Sequence, residues 1–198
     1  MNKNKDRYFI NKFLKDGYII FNISEKQKLN YIKKKISSEL SKKFKKKINL
    51  ENIHQFMNPQ KLNSFKMKIY GKINSDKKFF YNYYTIAQKE LDLICGNEIA
   101  MQRKINLSIQ LPKDDSSLLP MHSDVWSGCS PFEVVLWLPL VNCKKTQSMF
   151  IVPFKESKVL NKKVFKKNLF HKIQDQNTKK FKWLNIKYGQ GLIFSHQL

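Results

Sequence analysis

The stretch LLPMHSDVWSGCSPFEVVLWLPL, residues 118–140, decides how this chain is read. It places one of only four histidines two positions before an aspartate, at the entrance to a strongly apolar run. In an extended strand, side chains at i and i+2 share a face. His122 and Asp124 are therefore expected to project together from the start of a strand. A neutral imidazole and a carboxylate on one face are two thirds of the 2-His-1-carboxylate set that holds non-haem Fe(II). For an isolated pair, the competing explanation is a satisfied histidine beside a turn aspartate.

Working outward, the second half of the chain reads as short strands. KINLSIQL (104–111) alternates with period two. FEVVLWLPL (132–140), SMFIVP (148–153), FKWLNI (181–186) and GLIFS (191–195) are strand-like, and the turn clusters KDDSS (113–117) and SGCSP (127–131) separate several of them. The first half reads helical. FLKDGYIIFNI (13–23) looks like a helix end, a Gly17 cap and a short strand. Ser24 with Gln27 has capping-box spacing. Leu29, Ile32, Ile36 and Leu40 follow at helical intervals. KKFKKK (42–47) reads as a solvated helix end or loop. Asn58-Pro59 suits an N-cap and first helical position, with Leu62, Phe65 and Ile69 on one stripe. Residues 79–95, ending at Gly96, are expected to form a helix packed on a sheet. The fold class expected is α+β: a single domain over 1–198, helical over about 1–98, with jelly-roll strands over about 99–198.

Composition narrows the partners. A chain of 198 residues carries enough apolar side chains for a core and has no low-complexity tract. No window has the length and apolarity of a membrane span, and MNKNKDRYFI lacks a signal-peptide core. Cys95, Cys129 and Cys143 are odd in number and without metal-ligand spacing, which points to reduced thiols and a cytoplasmic protein. The net charge of +23 comes from 36 Lys and only 2 Arg. Nucleic-acid sites lean on Arg for bidentate and stacking contacts, so solvated lysine surface is favoured over a nucleic-acid footprint. A phosphorylated or nucleotide-linked small molecule also suits the charge.

The stretch 102–153, with FLKDGYIIF (13–21) before it and GQGLIF (189–194) after it, resembles the 2-oxoglutarate-dependent Fe(II) dioxygenases of the phytanoyl-CoA hydroxylase-like group. Within that group it is most similar to the oxygenases of sporadically distributed carbohydrate-biosynthesis clusters. The resemblance rests on an HxD pair, then a strand carrying Trp137, then TQSMFIVP and GQGLIF, in that order. It implies a double-stranded β-helix with Fe(2+), 2-oxoglutarate as co-substrate and O2. His122 and Asp124 would be metal ligands. Asn106 and Trp137 would contact the co-substrate, and Gln102 and Trp126 the substrate. The substrate implied is a sugar or nucleotide-sugar of surface-polysaccharide synthesis. Oxidative decarboxylation of the co-substrate would give succinate, CO2 and an oxidant for a substrate C–H bond. Trp137 as ordinary core packing and Trp126 as a rim aromatic stay open as alternatives, and His54 and His171 are given no role. A second iron histidine is expected a few residues past GQGLIF, with a basic anchor for the co-substrate later still. Here the chain reads Phe194-Ser195-His196-Gln197-Leu198. His196 falls closer to Phe194 than the family spacing, so the expectation is a chain truncated before its true ligand, with His196 as the other candidate. Two further readings remain: a metal-dependent cupin-type isomerase or halogenase-like oxygenase, and a non-enzymatic basic binding module. Asp124 argues against the halogenase, whose carboxylate ligand is replaced by a small residue.

Overall fold

The computed structural model describes residues 3–114, 121–167 and 181–198. It is a mixed α+β structure whose contacts group the chain into two compact units. One unit joins residues 1–22 to residues 119–198, and the other spans residues 23–118. Among the described residues the small antiparallel sheets do not close into a barrel. No described helix is long and apolar enough to cross a membrane.

In the first unit, helix α1 (Lys3–Asp16) stops at Gly17, whose φ of 76° suits a residue without a Cβ. The Gly17 N–H closes the helix on the Phe13 carbonyl at 2.8 Å. Strand β1 (Tyr18–Asn22) follows directly. Strands β2 (Val134–Trp137) and β5 (Gln190–Ser195) complete a three-stranded antiparallel sheet in the order β1-β5-β2. Its register sets Tyr18 opposite Phe194, which in turn pairs with Val135. The central strand belongs to the end of the sequence and one of its neighbours to the beginning. The division into a helical first half and a stranded second half therefore does not follow the sheet.

A ribbon of β3 (Phe150–Ile151) and β4 (Lys182–Trp183) pairs antiparallel, and a bridge at Cys143 and Ile186 extends the approach of the same two segments. Ile151, Leu184 and Ile186 bury against Tyr18 and Leu192, with Ile20, Trp137 and Phe194 packed on the cluster. The period-two rule explains the set, since Tyr18, Ile20, Leu192, Phe194 and Trp137 share one face of the sheet. Helix α6 (Phe154–Lys167) lies between β3 and β4 in sequence and was not anticipated. It buries Ser157, Leu160 and Val164.

The second unit is helical among its described residues. Helix α2 (Lys26–Phe44) buries Leu29, Ile32, Ile36 and Leu40, as their spacing predicts. Its N-cap is Glu25 without a side-chain hydrogen bond, so the expected Ser24–Gln27 capping box does not form. Lys45 in the left-handed region ends the helix within the lysine run. Helix α3 (Pro59–Ser75) begins as expected, with the Asn58 side chain accepting from the Lys61 N–H at 2.9 Å. The helix expected over 79–95 is two: α4 (Lys77–Thr85), capped by Asp76, and α5 (Gln88–Cys95), stopped at Gly96. Helix α4 packs on α2 and α3.

Residues 104–111 show the expected alternation of burial, with Ile105 and Leu111 buried and their neighbours exposed. They form no ladder. The Asn74 side chain instead donates to the Ile105 carbonyl (3.2 Å) and accepts from its N–H (2.6 Å), and the Tyr70 hydroxyl donates to the Leu107 carbonyl (2.7 Å). Side chains of α3 thus supply the partners that a neighbouring strand would have given. The KDDSS turn and residues 118–120 of the opening stretch fall partly or wholly outside the described residues, as does His171.

Candidate metal centre

His122 and Asp124 do meet, by a route other than strand alternation. Residues 124–127 form a 3-10 turn, with Ser123 in extended conformation before it and Gly128 in the left-handed region after it. The turn folds the Asp124 carboxylate back so that Oδ1 lies 3.5 Å from His122 Nε2. Trp126 consequently does not share a strand face with Asp124. Its indole N–H donates to Asn161 Oδ1 on α6 at 2.7 Å.

His196 completes the group. Its Nε2 lies 3.5 Å from the other Asp124 oxygen, Oδ2. The family spacing expects the histidine farther past Phe194 than His196 stands. Strand β5 ends at Ser195, and a turn there, with the Leu198 N–H on the Ser195 carbonyl at 3.1 Å, carries the ring toward Asp124. Three contacts fix the backbone of His196. Its carbonyl accepts from the Ser123 hydroxyl (2.7 Å) and the Val125 N–H (3.4 Å), and its N–H donates to the Glu133 carbonyl (3.3 Å). Ser123 is buried, so the hydroxyl that could have capped the 3-10 turn holds the histidine backbone instead. Asn161 ties the same tail to the same loop, since its amide also donates to the Gln197 carbonyl at 3.1 Å.

The three side chains differ in exposure: 12% for His196, 33% for Asp124 and 45% for His122. The Asp124 carboxyl is held below its ordinary range, chiefly by the hydrogen bond from His122. Burial opposes this shift, and the charges of His196 and His122 add to it. On its other side, His196 Nδ1 is buried and makes no hydrogen bond, yet lies 3.2 Å from the Glu133 carboxylate. Cys129, Glu133 and His196 each place one donor atom within 4.8 Å of the others.

Each histidine alone stands at a distance from Asp124 that a shared divalent ion would require, but among the described residues only Cys129, Glu133 and His196 bring one donor atom each within 4.8 Å of the other two, so His122 would have to move inward to complete a three-residue set with Asp124 and His196. With metal–ligand bonds of about 2.1 Å, neighbouring ligand atoms in an octahedral site stand about 3 Å apart, close to the 3.5 Å seen at both histidines. A carboxylate beside the remote nitrogen of a ligating histidine orients the ring and fixes its tautomer, which is where Glu133 stands. Sequence reasoning missed Glu133. The only signal for it was its place one residue before VVLW, and that signal needed the pairing of Val134 with Ser195.

Beside His122 lies a small solvent-open hollow, walled by Trp126, Val152, Leu160, Asn161 and Leu198. Its described lining holds no lysine or arginine. Of the other expected site residues, Trp137 stands on β2 and packs against the apolar cluster of Tyr18, Leu184 and Leu192. Gln102 and Asn106 belong to the other unit and are exposed there. The cysteines are free thiols, with Cys143 buried and Cys95 and Cys129 exposed. Compared with protein-family models, curated proteins and solved structures, this chain matches none.

Proposed function

We propose that this chain carries the metal centre of a non-haem Fe(II)- and 2-oxoglutarate-dependent dioxygenase acting on a small metabolite, with a sugar or nucleotide-sugar as the substrate class. The observation that carries this reading is the convergence of two imidazoles on the two oxygens of one carboxylate. His122, Asp124 and His196 would hold one face of the ion, and the group when bound would supply oxygen activation coupled to decarboxylation of the co-substrate. The hydrogen bond from His122 and the charges of His196 and His122 favour the ionised form of Asp124, the form that would bind a metal. The Glu133 carboxylate, 3.2 Å from His196 Nδ1, would orient the ring so that Nε2 faces Asp124. Trp126 and Leu160 present apolar walls beside His122. The β1-β5-β2 sheet and the β3–β4 ribbon, with their shared core, would be the two layers of a jelly roll.

The test is succinate release from 2-oxoglutarate under air with added Fe(II). Wild-type protein is expected to release succinate, and Asp124→Ala to release none. Equal release by both would sink the metal assignment. The lack of a lysine or arginine among the described lining of the hollow favours one second reading, a metal-dependent cupin-type isomerase. It predicts metal binding with no consumption of 2-oxoglutarate.

A further inference from the structure

We propose that Cys129, Glu133 and His196 form a second cation site, selective for thiophilic divalent ions such as Zn(2+) and Cd(2+). The chain reverses between the first two residues. The Glu133 N–H donates to the Ser130 carbonyl at 3.2 Å, and the Phe132 N–H to the Ser130 hydroxyl at 3.2 Å. This turn brings side chains four residues apart onto one side. The Gln197 amide holds the turn against the tail through the Pro131 carbonyl at 3.0 Å. The His196 N–H on the Glu133 carbonyl then sets the ring beside the pair.

A thiol, a carboxylate and an imidazole converge, each with one donor atom within 4.8 Å of the others. A tetrahedral Zn(2+) site needs ligand atoms about 3.5 Å apart, from bonds of about 2.0–2.3 Å. Closing that gap takes about 1 Å of side-chain movement, which the exposed Cys129 and Glu133 are free to make. The nitrogen facing Glu133 is the independent pointer. His196 Nδ1 is buried, has no hydrogen bond and sits 3.2 Å from Glu133 Oε2, an arrangement that a shared cation would satisfy. Three protein ligands leave a fourth position for water. The sulfur sets the selectivity, since thiolate favours Zn(2+) and Cd(2+) over Mg(2+) and Ca(2+). Binding releases the thiol proton to solvent.

The site shares His196 with the centre above but uses its other nitrogen. Filling it removes the contact by which Glu133 orients Nε2, so Zn(2+) should weaken metal binding at His122 and Asp124. That consequence rests on the proposed function; the Cys129 site does not.

The experiment is a Cd(2+) titration of the full chain in a Cys95→Ala background, read by the ultraviolet thiolate-to-metal charge-transfer band. One equivalent should bind with the band present. The band should vanish in Cys129→Ala, need at least about tenfold more Cd(2+) in Glu133→Gln, and persist in His122→Ala, which separates this site from the first. A missing band in the Cys95→Ala protein overturns the proposal, and so does an unchanged titration in either Cys129→Ala or Glu133→Gln.

Discussion

Replacing Asn161 with alanine should loosen the metal centre without touching a metal ligand. The side chain spans two segments that have no covalent reason to stay together. Its Oδ1 accepts from the Trp126 indole at 2.7 Å, and its Nδ2 donates to the Gln197 carbonyl at 3.1 Å. One bond holds the loop that carries Asp124, and the other holds the tail that carries His196. Each such bond contributes about 1 kcal/mol net, so Asn161→Ala should destabilise the fold by about 2 kcal/mol. For a chain of this size that is a fall in Tm of roughly 4–8 °C. Helix α6 itself should persist, because Leu160 and Val164 remain buried. Affinity for Mn(2+), measured by electron paramagnetic resonance, should drop about tenfold, the usual effect of losing a group that positions a ligand. Asn161→Asp sharpens the test. It keeps an acceptor for Trp126 but turns an acceptor toward the Gln197 carbonyl, so it should weaken Mn(2+) binding despite being nearly isosteric. If Asn161→Ala moves Tm by less than about 1 °C and leaves Mn(2+) affinity unchanged, the clamp is not what holds His196 in place.

Gly17→Ala should destabilise the chain by about 2 kcal/mol, seen in a urea melt, because φ is +76° and a Cβ would lie 2.8 Å from the Phe154 ring and 3.0 Å from Leu198. Full wild-type stability in that variant would contradict the register of α1 on β1. Glu39 is buried and paired with Lys72 and Lys42, and the Lys72 hydrogen bond leads in holding its carboxyl below the ordinary range. A depressed folded-state value means the stabilisation is complete above the unfolded carboxylate value of about 4.3 and is lost as pH falls through the lower folded value. Glu39→Gln should therefore lie about 1 kcal/mol below wild type at pH 7, and the gap should close as pH is lowered toward 3. A gap that stays constant over that range would show that the pair contributes nothing to stability.

Much of the fold was legible where one local rule sufficed. The stripe Leu29, Ile32, Ile36 and Leu40 needs only helical spacing and a buried side, and all four are buried. The Asn58-Pro59 start and the Gly17 stop are backbone chemistry and appear as read. The strands at 134–137, 150–151 and 182–183 fall inside the expected stretches, and β5 at 190–195 begins one residue before the expected 191–195. Failures came where a distant residue supplied the partner. The alternation in 104–111 was real, but Asn74 and Tyr70 took the backbone groups that would have built a ladder. Helix α6 escaped notice because its buried stripe is only Ser157, Leu160 and Val164 amid lysines. At the site, proximity of His122 and Asp124 was legible and its cause was not. A 3-10 turn, not a pleat, brings them together. The role of His196 depended on where β5 ends, and that depends on pairing with β1 and β2.

That pairing also makes the three candidate ligands unequal. His196 follows the central strand of the sheet. The Ser195 N–H before it donates to the Gly17 carbonyl at 2.9 Å, and Ser123 and Val125 of the loop with Glu133 before β2 fix its own backbone. Its ring is the least exposed of the three. His122 precedes the turn and is the most exposed. A ligand locked by its surroundings loses little conformational freedom on binding, whereas an exposed one must be ordered at that moment. A metal ion should therefore be held first by Asp124 and His196, with His122 closing on it. The expected ranking in a Co(2+) titration followed by visible absorption is wild type tightest, then His122→Ala, then His196→Ala weaker than His122→Ala by about tenfold or more. Circular dichroism at each end point keeps loss of fold apart from loss of affinity. If His122→Ala binds Co(2+) as weakly as His196→Ala while both remain folded, the preorganisation argued for β5 is absent and the two histidines contribute alike.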